Sequence, residues 1–227
     1  MRLPFFVLAA AAPVLVALGC ARSDASAAPA EPTVAASPLA DGAPAPAGTE
    51  TAVFAGGCFW SMEKAFDGVR GVQRATSGFS GGTTANPTYE ETFSNPAGHV
   101  EAVEVVFDPE VVSYAARVRL FWHNVDPTTD DRQFCDRGET YRAALFPRTA
   151  AQRRVAAVSL RQVDARMSRP VVATVRRAAP FYAAEAYHQD FARLNPARYE
   201  QYRRGCRRDV RLRELWGDLA GVAGTRI

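Results

Sequence analysis

Covalent chemistry in this chain would rest first on its cysteines, and one of them stands in an unusual setting. Cys58 lies in "AVFAGGCFWSMEKAF" (52–66), behind two glycines and directly ahead of Phe59 and Trp60. Phe59, Met62 and Phe66 recur at helical spacing, so a helix is expected from near Cys58 to about Asp67. A sulfur at a helix start faces unpaired backbone N–H groups and the positive end of the helix dipole. Both favour a thiolate and lower the thiol pKa. The glycines allow a sharp turn that leaves the sulfur approachable. Cys58 is thus a candidate nucleophile. The position alone is equally compatible with a small buried filler, which is how most free cysteines behave.

A second candidate comes from strand parity. In "HVEAVEVVFDP" (99–109), Glu101 shares a face with Val103, Val105 and Phe107, while Glu104 points the other way. A carboxyl group in an apolar row loses hydration, holds its proton near neutral pH and can act as a general acid. A glutamate exposed at the sheet margin is the competing reading. "QFCDRGETYRAALF" (133–146) gathers Cys135, Asp136, Glu139 and Tyr141 around Gly138, either as a site loop or as a polar loop ahead of a strand. Tyr89 stands in "NPTYEE" and reads otherwise as a half-buried loop tyrosine. His99, His123 and His188 are isolated and read as satisfied surface or core histidines.

The last cysteine, Cys206, sits in "RRGCRRD". Between Arg198 and Arg213 seven arginines face Glu200 and Asp209, a local net of +5. Such charge lowers a thiol pKa and readies it to attack another sulfur, and Gly205 lets the backbone move. A solvated basic tail with an incidental cysteine is the plainer alternative. Its aromatics form no stacking platform, and the whole chain carries only +3, so nucleic acid is not expected as a partner.

These residues need elements to hold them. Strands are expected at 51–54, 72–80, 99–107, 141–146 and 171–175, and helices at 58–67, 113–124 (capped by Ser113), 149–169 and 184–194, with a short helical turn in 86–98. The order β-α-β-β-α-β with extra helices implies an α+β two-layer sandwich with a ferredoxin-like core. A chain of 227 residues with 48% hydrophobic content can bury one sizeable core. The cysteine spacings suit no zinc site.

The amino terminus reads as a targeting segment. Arg2 precedes the apolar run "LPFFVLAAAAPVLVAL", which is short for a membrane span and carries Pro4 and Pro13. Cys20 follows "ALG", a pattern similar to bacterial lipoprotein signals, in which cleavage leaves a lipid-bearing cysteine; ordinary signal cleavage near "ASA" (25–27) is the alternative. Residues 21–50 hold eleven alanines and five prolines and cannot build a core, so they read as a disordered tether. The expected organisation is a signal peptide over 1–20, the tether over 21–50, a catalytic domain over 51–200 and a basic tail over 201–227. The protein is then exported and held by lipid on the periplasmic side of a bacterial membrane.

Six motifs, taken in order, resemble the peptide methionine sulfoxide reductase A family: "GGCFW", "NPTYEE", "GHVEAVEVVFDP", "FWHNVDPTT", "CDRGETYR" and "YHQDF…NP". The resemblance implies that Cys58 attacks the sulfoxide sulfur while Glu101 protonates its oxygen. It implies that Tyr89 and Tyr141 donate hydrogen bonds to that oxygen and that Asp136 orders polar groups, through water. Phe59 and Trp60 would wall a pocket for the methyl group. Cys58 would become a sulfenic acid, Cys206 would resolve it as a disulfide, and a thioredoxin-like dithiol would restore both thiols. The implied substrates are oxidised proteins or peptides and the free amino acid, as the S epimer. No metal or organic cofactor is implied, and a monomer is expected. Two positions depart from the family pattern: Cys135 stands where many members carry Asn, and Thr140 where many carry Gln. Cys135 could compete with Cys206 as the resolving thiol. Two other functions compete: a thiol hydrolase pairing Cys58 with a histidine, and a non-enzymatic lipoprotein held by structural disulfides.

Overall fold

The computed structural model describes residues 45–94 and 97–221. The expected signal peptide, Cys20 and the tether as far as residue 44 lie outside the described residues. Among the described residues, no helix is long and apolar enough to cross a membrane.

In chain order the elements are β1 (Glu50–Ala55), α1 (Phe59–Phe66), β2 (Val72–Ser80), α2 (Tyr89–Ser94), β3 (Val100–Phe107), α3 (Tyr114–Trp122), β4 (Arg132–Gln133), β5 (Asp136–Arg137), β6 (Ala144–Phe146), α4 (Ala150–Arg166), β7 (Thr174–Val175), β8 (Phe181–Ala183), α5 (Phe191–Leu194), α6 (Pro196–Gly205) and α7 (Arg208–Trp216). The main sheet runs β7-β6-β1-β3-β2-β8, and β4 and β5 form a separate small hairpin. The inner four strands, β6-β1-β3-β2, are antiparallel, and β7 joins β6 in parallel. With α1 after β1 and α3 after β3, these inner strands make the expected ferredoxin-like α+β core.

Strand alternation divides β3 between two cores. Val103, Val105 and Phe107 pack with Phe54, Phe66 and Phe121. Val100 and Ala102 pack with Val53, Phe146 and Phe181. Both faces of β3 are therefore dry, and Glu101 and Glu104 are buried on opposite sides of the sheet. Ser113 caps α3 by accepting the Ala116 N–H at 3.2 Å, and Thr149 caps α4 by accepting the Gln152 N–H at 3.1 Å.

Several segments differ from expectation, among them the strand expected over 171–175, reduced to Thr174–Val175, and β8, for which no strand is expected. The strand expected over 141–146 begins at Ala144, because Glu139–Tyr141 forms a 3₁₀ turn. The helix expected over 184–194 is broken into a 3₁₀ turn, Ala186–His188, and α5. Tertiary hydrogen bonds break it. The Gln189 side chain accepts the Ser77 N–H at 2.9 Å, and the Asp190 N–H donates to Glu63 at 3.1 Å with Asp190 at φ +53°. Finally, the basic tail is not a solvated strand of charge. Pro196 opens α6, and α7 buries Arg208, Leu212 and Trp216. The Trp216 indole N–H donates to the Val125 carbonyl at 2.9 Å.

Candidate active site

The turn before Cys58 is built by close approach. Gly57 has φ +76°, and a Cβ there would lie 2.3 Å from Gln133 Cβ. Gln133 is itself pinned: its Oε1 accepts the Asp126 N–H at 3.0 Å, and its Nε2 donates to the Asp126 carbonyl at 2.7 Å. Only glycine lets the turn lie against this loop.

Cys58 caps α1 and is only 6% exposed. The free N–H at the helix start does not serve the sulfur. The Phe59 N–H donates to Glu101 Oε2 at 2.8 Å, so the carboxyl group occupies the anion-favouring end of the helix. The expected fall in the Cys58 pKa is therefore reversed. Burial first, then the neighbouring Glu101 charge, push the thiol up to about 12. Burial also raises Glu101 to about 8, outweighing the Phe59 N–H that favours its anion. Glu101 is thus a neutral acid at pH 7, as strand parity implies. In that state it does not oppose ionisation of Cys58.

Tyr89 and Tyr141 come from α2 and the 3₁₀ turn, and each acts on the other's ionisation. Burial first, then the Glu101 charge, disfavours their phenolate forms, so they remain donors. The Tyr89 N–H is held by Glu185 Oε1 at 2.9 Å. Phe59 is buried, with ring centroids 5.8 Å from Phe79 and 6.3 Å from Tyr89. Trp60 is half-buried and stacks on Phe191 at 3.7 Å. Its indole N–H donates to His188 Nδ1 at 3.1 Å, which fixes a neutral ring with its proton on Nε2. His188 therefore braces the apolar wall and is not isolated.

Asp136 meets a direct partner: the Tyr202 hydroxyl donates to its Oδ2 at 2.5 Å. Tyr202 also sits beside Cys58, where it favours the thiolate. One hydroxyl on α6 therefore serves both the nucleophile and the loop acid. Cys206 follows one turn later, its N–H donating to the Tyr202 carbonyl at 2.9 Å. Cys206 is disulfide-bonded to Cys135, with Cα atoms 4.9 Å apart. The sequence gives Cys135 no part beyond competition for Cys58; in the fold it is the partner of Cys206, and Cys58 is a free thiol. Cys135 is exposed and Cys206 partly so.

Sequence reasoning placed Cys58, Glu101, Tyr89, Tyr141, Asp136, Phe59 and Trp60, and the fold brings them together. It missed Tyr202, His188 and Arg208. The i, i+4 spacing of Tyr202 and Cys206 on one helix is the signal that could have found the first. Chemically, the arrangement offers a thiol, a neutral acid and two phenol donors beside aromatic walls. It suits an apolar substrate with one polar acceptor atom.

Residues 50–220 match the peptide methionine sulfoxide reductase family. Among curated relatives, "Peptide methionine sulfoxide reductase MsrA" of Bacillus licheniformis is 46% identical over 170 residues, covering 74% of this chain and 94% of its own. "Peptide methionine sulfoxide reductase MsrA 2" of Caulobacter vibrioides is 48% identical over 170 residues, covering 74% and 86%. The solved structure of methionine sulfoxide reductase A of Corynebacterium diphtheriae superposes with a TM-score of 0.60 at 33% identity, over 66% of this chain and 77% of that one. On its motifs, its fold and these likenesses, the chain belongs to the peptide methionine sulfoxide reductase A family.

Proposed function

We propose that this protein reduces methionine (S)-sulfoxide, in proteins and as the free amino acid, to methionine, and so repairs oxidative damage. The observation that carries the reading is a buried free thiol at the start of α1 beside a buried carboxyl group that takes the Phe59 N–H of the same helix. Glu101 gives its proton to the sulfoxide oxygen while the Cys58 sulfur attacks the sulfoxide sulfur. Tyr89 and Tyr141 donate to the same oxygen, and Phe59 and Trp60 surround the methyl group. The S–O bond breaks and the oxygen ends on Cys58 as a sulfenic acid; the proton lost by the thiol replaces the one Glu101 gave up.

Cys206 then attacks the Cys58 sulfur, expelling water and forming a disulfide. The bond between Cys135 and Cys206 supports one more exchange: Cys135 attacks Cys206 and releases Cys58 as a thiolate. A thioredoxin-like dithiol reduces the outer disulfide, for which the exposure of Cys135 is the supporting feature. Over the cycle, sulfoxide and dithiol become thioether, disulfide and water. The amino-terminal sequence supports export and lipid attachment at Cys20, on the periplasmic side of a bacterial membrane.

A thiol hydrolase would need a histidine on Cys58. His188 instead accepts from Trp60, and the groups acting on Cys58 are Glu101, Tyr202, Asp136 and Arg208. The test is turnover of peptides carrying methionine (S)- or (R)-sulfoxide with a dithiol protein as reductant. The S peptide is expected to be reduced and the R peptide left. Cys58→Ser is expected to abolish turnover, whereas activity surviving in Cys58→Ser would overturn the reading.

A further inference from the structure

Arg208 opens α7, two residues beyond Cys206, and is 1% exposed. Its Nη2 donates to the Asn124 carbonyl at 2.7 Å and reaches the carbonyl of Gly56, two residues before Cys58, at 3.4 Å. The guanidinium carbon lies 4.2 Å from the centroid of the Phe134 ring, next to Cys135. Nε and Nη1 are buried and have no hydrogen-bond partner among the described residues. A guanidinium keeps its charge in proteins, and burying it half-paired is costly unless negative charge faces it.

The ionisable groups around Arg208 are Tyr199, Tyr202 and Arg203 of α6, Asp136 of β5, and Cys58. Arg203 is already engaged by Asp209 and Tyr199, and Asp136 takes the Tyr202 hydroxyl. Around Cys58 stand Glu101 of β3, Asp136, Tyr202, Tyr89 of α2 and Arg208. Asp136, and Glu101 once it has lost its proton, oppose a thiolate there, and Arg208 is the cation among these groups. We propose that Arg208 is a positioning residue that holds the negative charge of the Cys58 thiolate for attack on the sulfoxide. Because it follows Cys206 so closely, the segment that resolves Cys58 also carries the charge that activates it.

This inference rests on Cys58 being the attacking thiol. The test compares alkylation of Cys58 by neutral iodoacetamide and by anionic iodoacetate at one pH, followed by peptide mass mapping. The chains are wild type, Arg208→Gln, Arg208→Met and Arg208→Lys. Loss of the charge is expected to slow iodoacetamide about tenfold or more, the effect of moving a thiol pKa by a unit or more. It is also expected to slow iodoacetate further, so that the ratio of the two rates falls several-fold, with Lys restoring much of both. The ratio cancels changes in access, which a merely structural role would produce. The Met variant keeps an apolar side chain against Phe134 and Met62 if the Gln variant fails to fold. An unchanged ratio, or unchanged iodoacetamide reactivity, in either folded neutral variant would overturn the role of Arg208. Failure of wild type to form methionine would instead overturn the reading of Cys58.

Discussion

Glu101→Gln separates a proton donor from a structural carboxylate. Gln keeps the shape and can still accept the Phe59 N–H, but it has no acidic proton to give. Without the donor, methionine formation in a single turnover should slow roughly 10²–10⁴-fold at pH 7. Stability should move the other way. The folded pKa is raised from 4.5 to about 8. Below pH 4.5 the carboxyl is protonated in both states and costs nothing. As pH rises from there to about 8 the unfolded chain releases its proton while the folded chain keeps it, so stability is lost across that window and stays lost above it. At 1.36 kcal/mol per unit, the full cost is at most roughly 5 kcal/mol. Glu101→Gln does not bear this cost. Its stability relative to wild type should therefore rise between pH 4.5 and about 8 and level off above. Glu63 and Glu104, each raised to about 7 by burial, affect both chains alike and cancel in the comparison. Rapid-quench assays for methionine and urea unfolding across that range supply both readouts. A near-normal rate in Glu101→Gln, or parallel stability curves for the two chains, would refute the reasoning.

Wild-type activity should decline above about pH 8 as Glu101 loses the proton it must donate, which a pH–rate profile of the first turnover will register. Gly57→Ala forces an L side chain into positive φ and drives its Cβ into Gln133, so a loss of at least about 2 kcal/mol is expected in chemical unfolding. Tyr202→Phe removes the hydroxyl between Asp136 and Cys58. The fold should survive while the first turnover slows about 10–100-fold, the effect of one hydrogen bond to a charged group.

What the sequence discloses follows from how local each constraint is. Parity along β3 is local, so the burial of Glu101 beside Val103 and Val105 is readable from alternation alone. The order of the inner four strands follows from the β-α-β-β-α-β pattern, whose connections leave few ways to pair, whereas β8 has no strand signal. The Cys58 pKa is not local. Its direction depends on Glu101 taking the Phe59 N–H and on packing by α1, β3 and α6, so a helix-start argument taken alone has the wrong sign. The disulfide joins residues 71 apart, and spacing carries no trace of it. A solvated tail stays open as an alternative in the sequence because arginines dominate it. Yet Leu212 and Trp216 suffice to dock α7, and a buried Arg208 has no hydropathy signal at all.

The most direct test counts methionine formed per chain in the absence of reductant, starting from fully reduced protein and excess methionine (S)-sulfoxide peptide. Cys58 should be returned once by Cys206 and Cys135 and then oxidised again. Wild type should therefore yield about two methionines, ending with Cys135 joined to Cys206, while Cys135→Ser should yield about one and Cys58→Ser none. A single methionine from wild type with Cys58 left joined to Cys206, or any methionine from Cys58→Ser, would contradict the account.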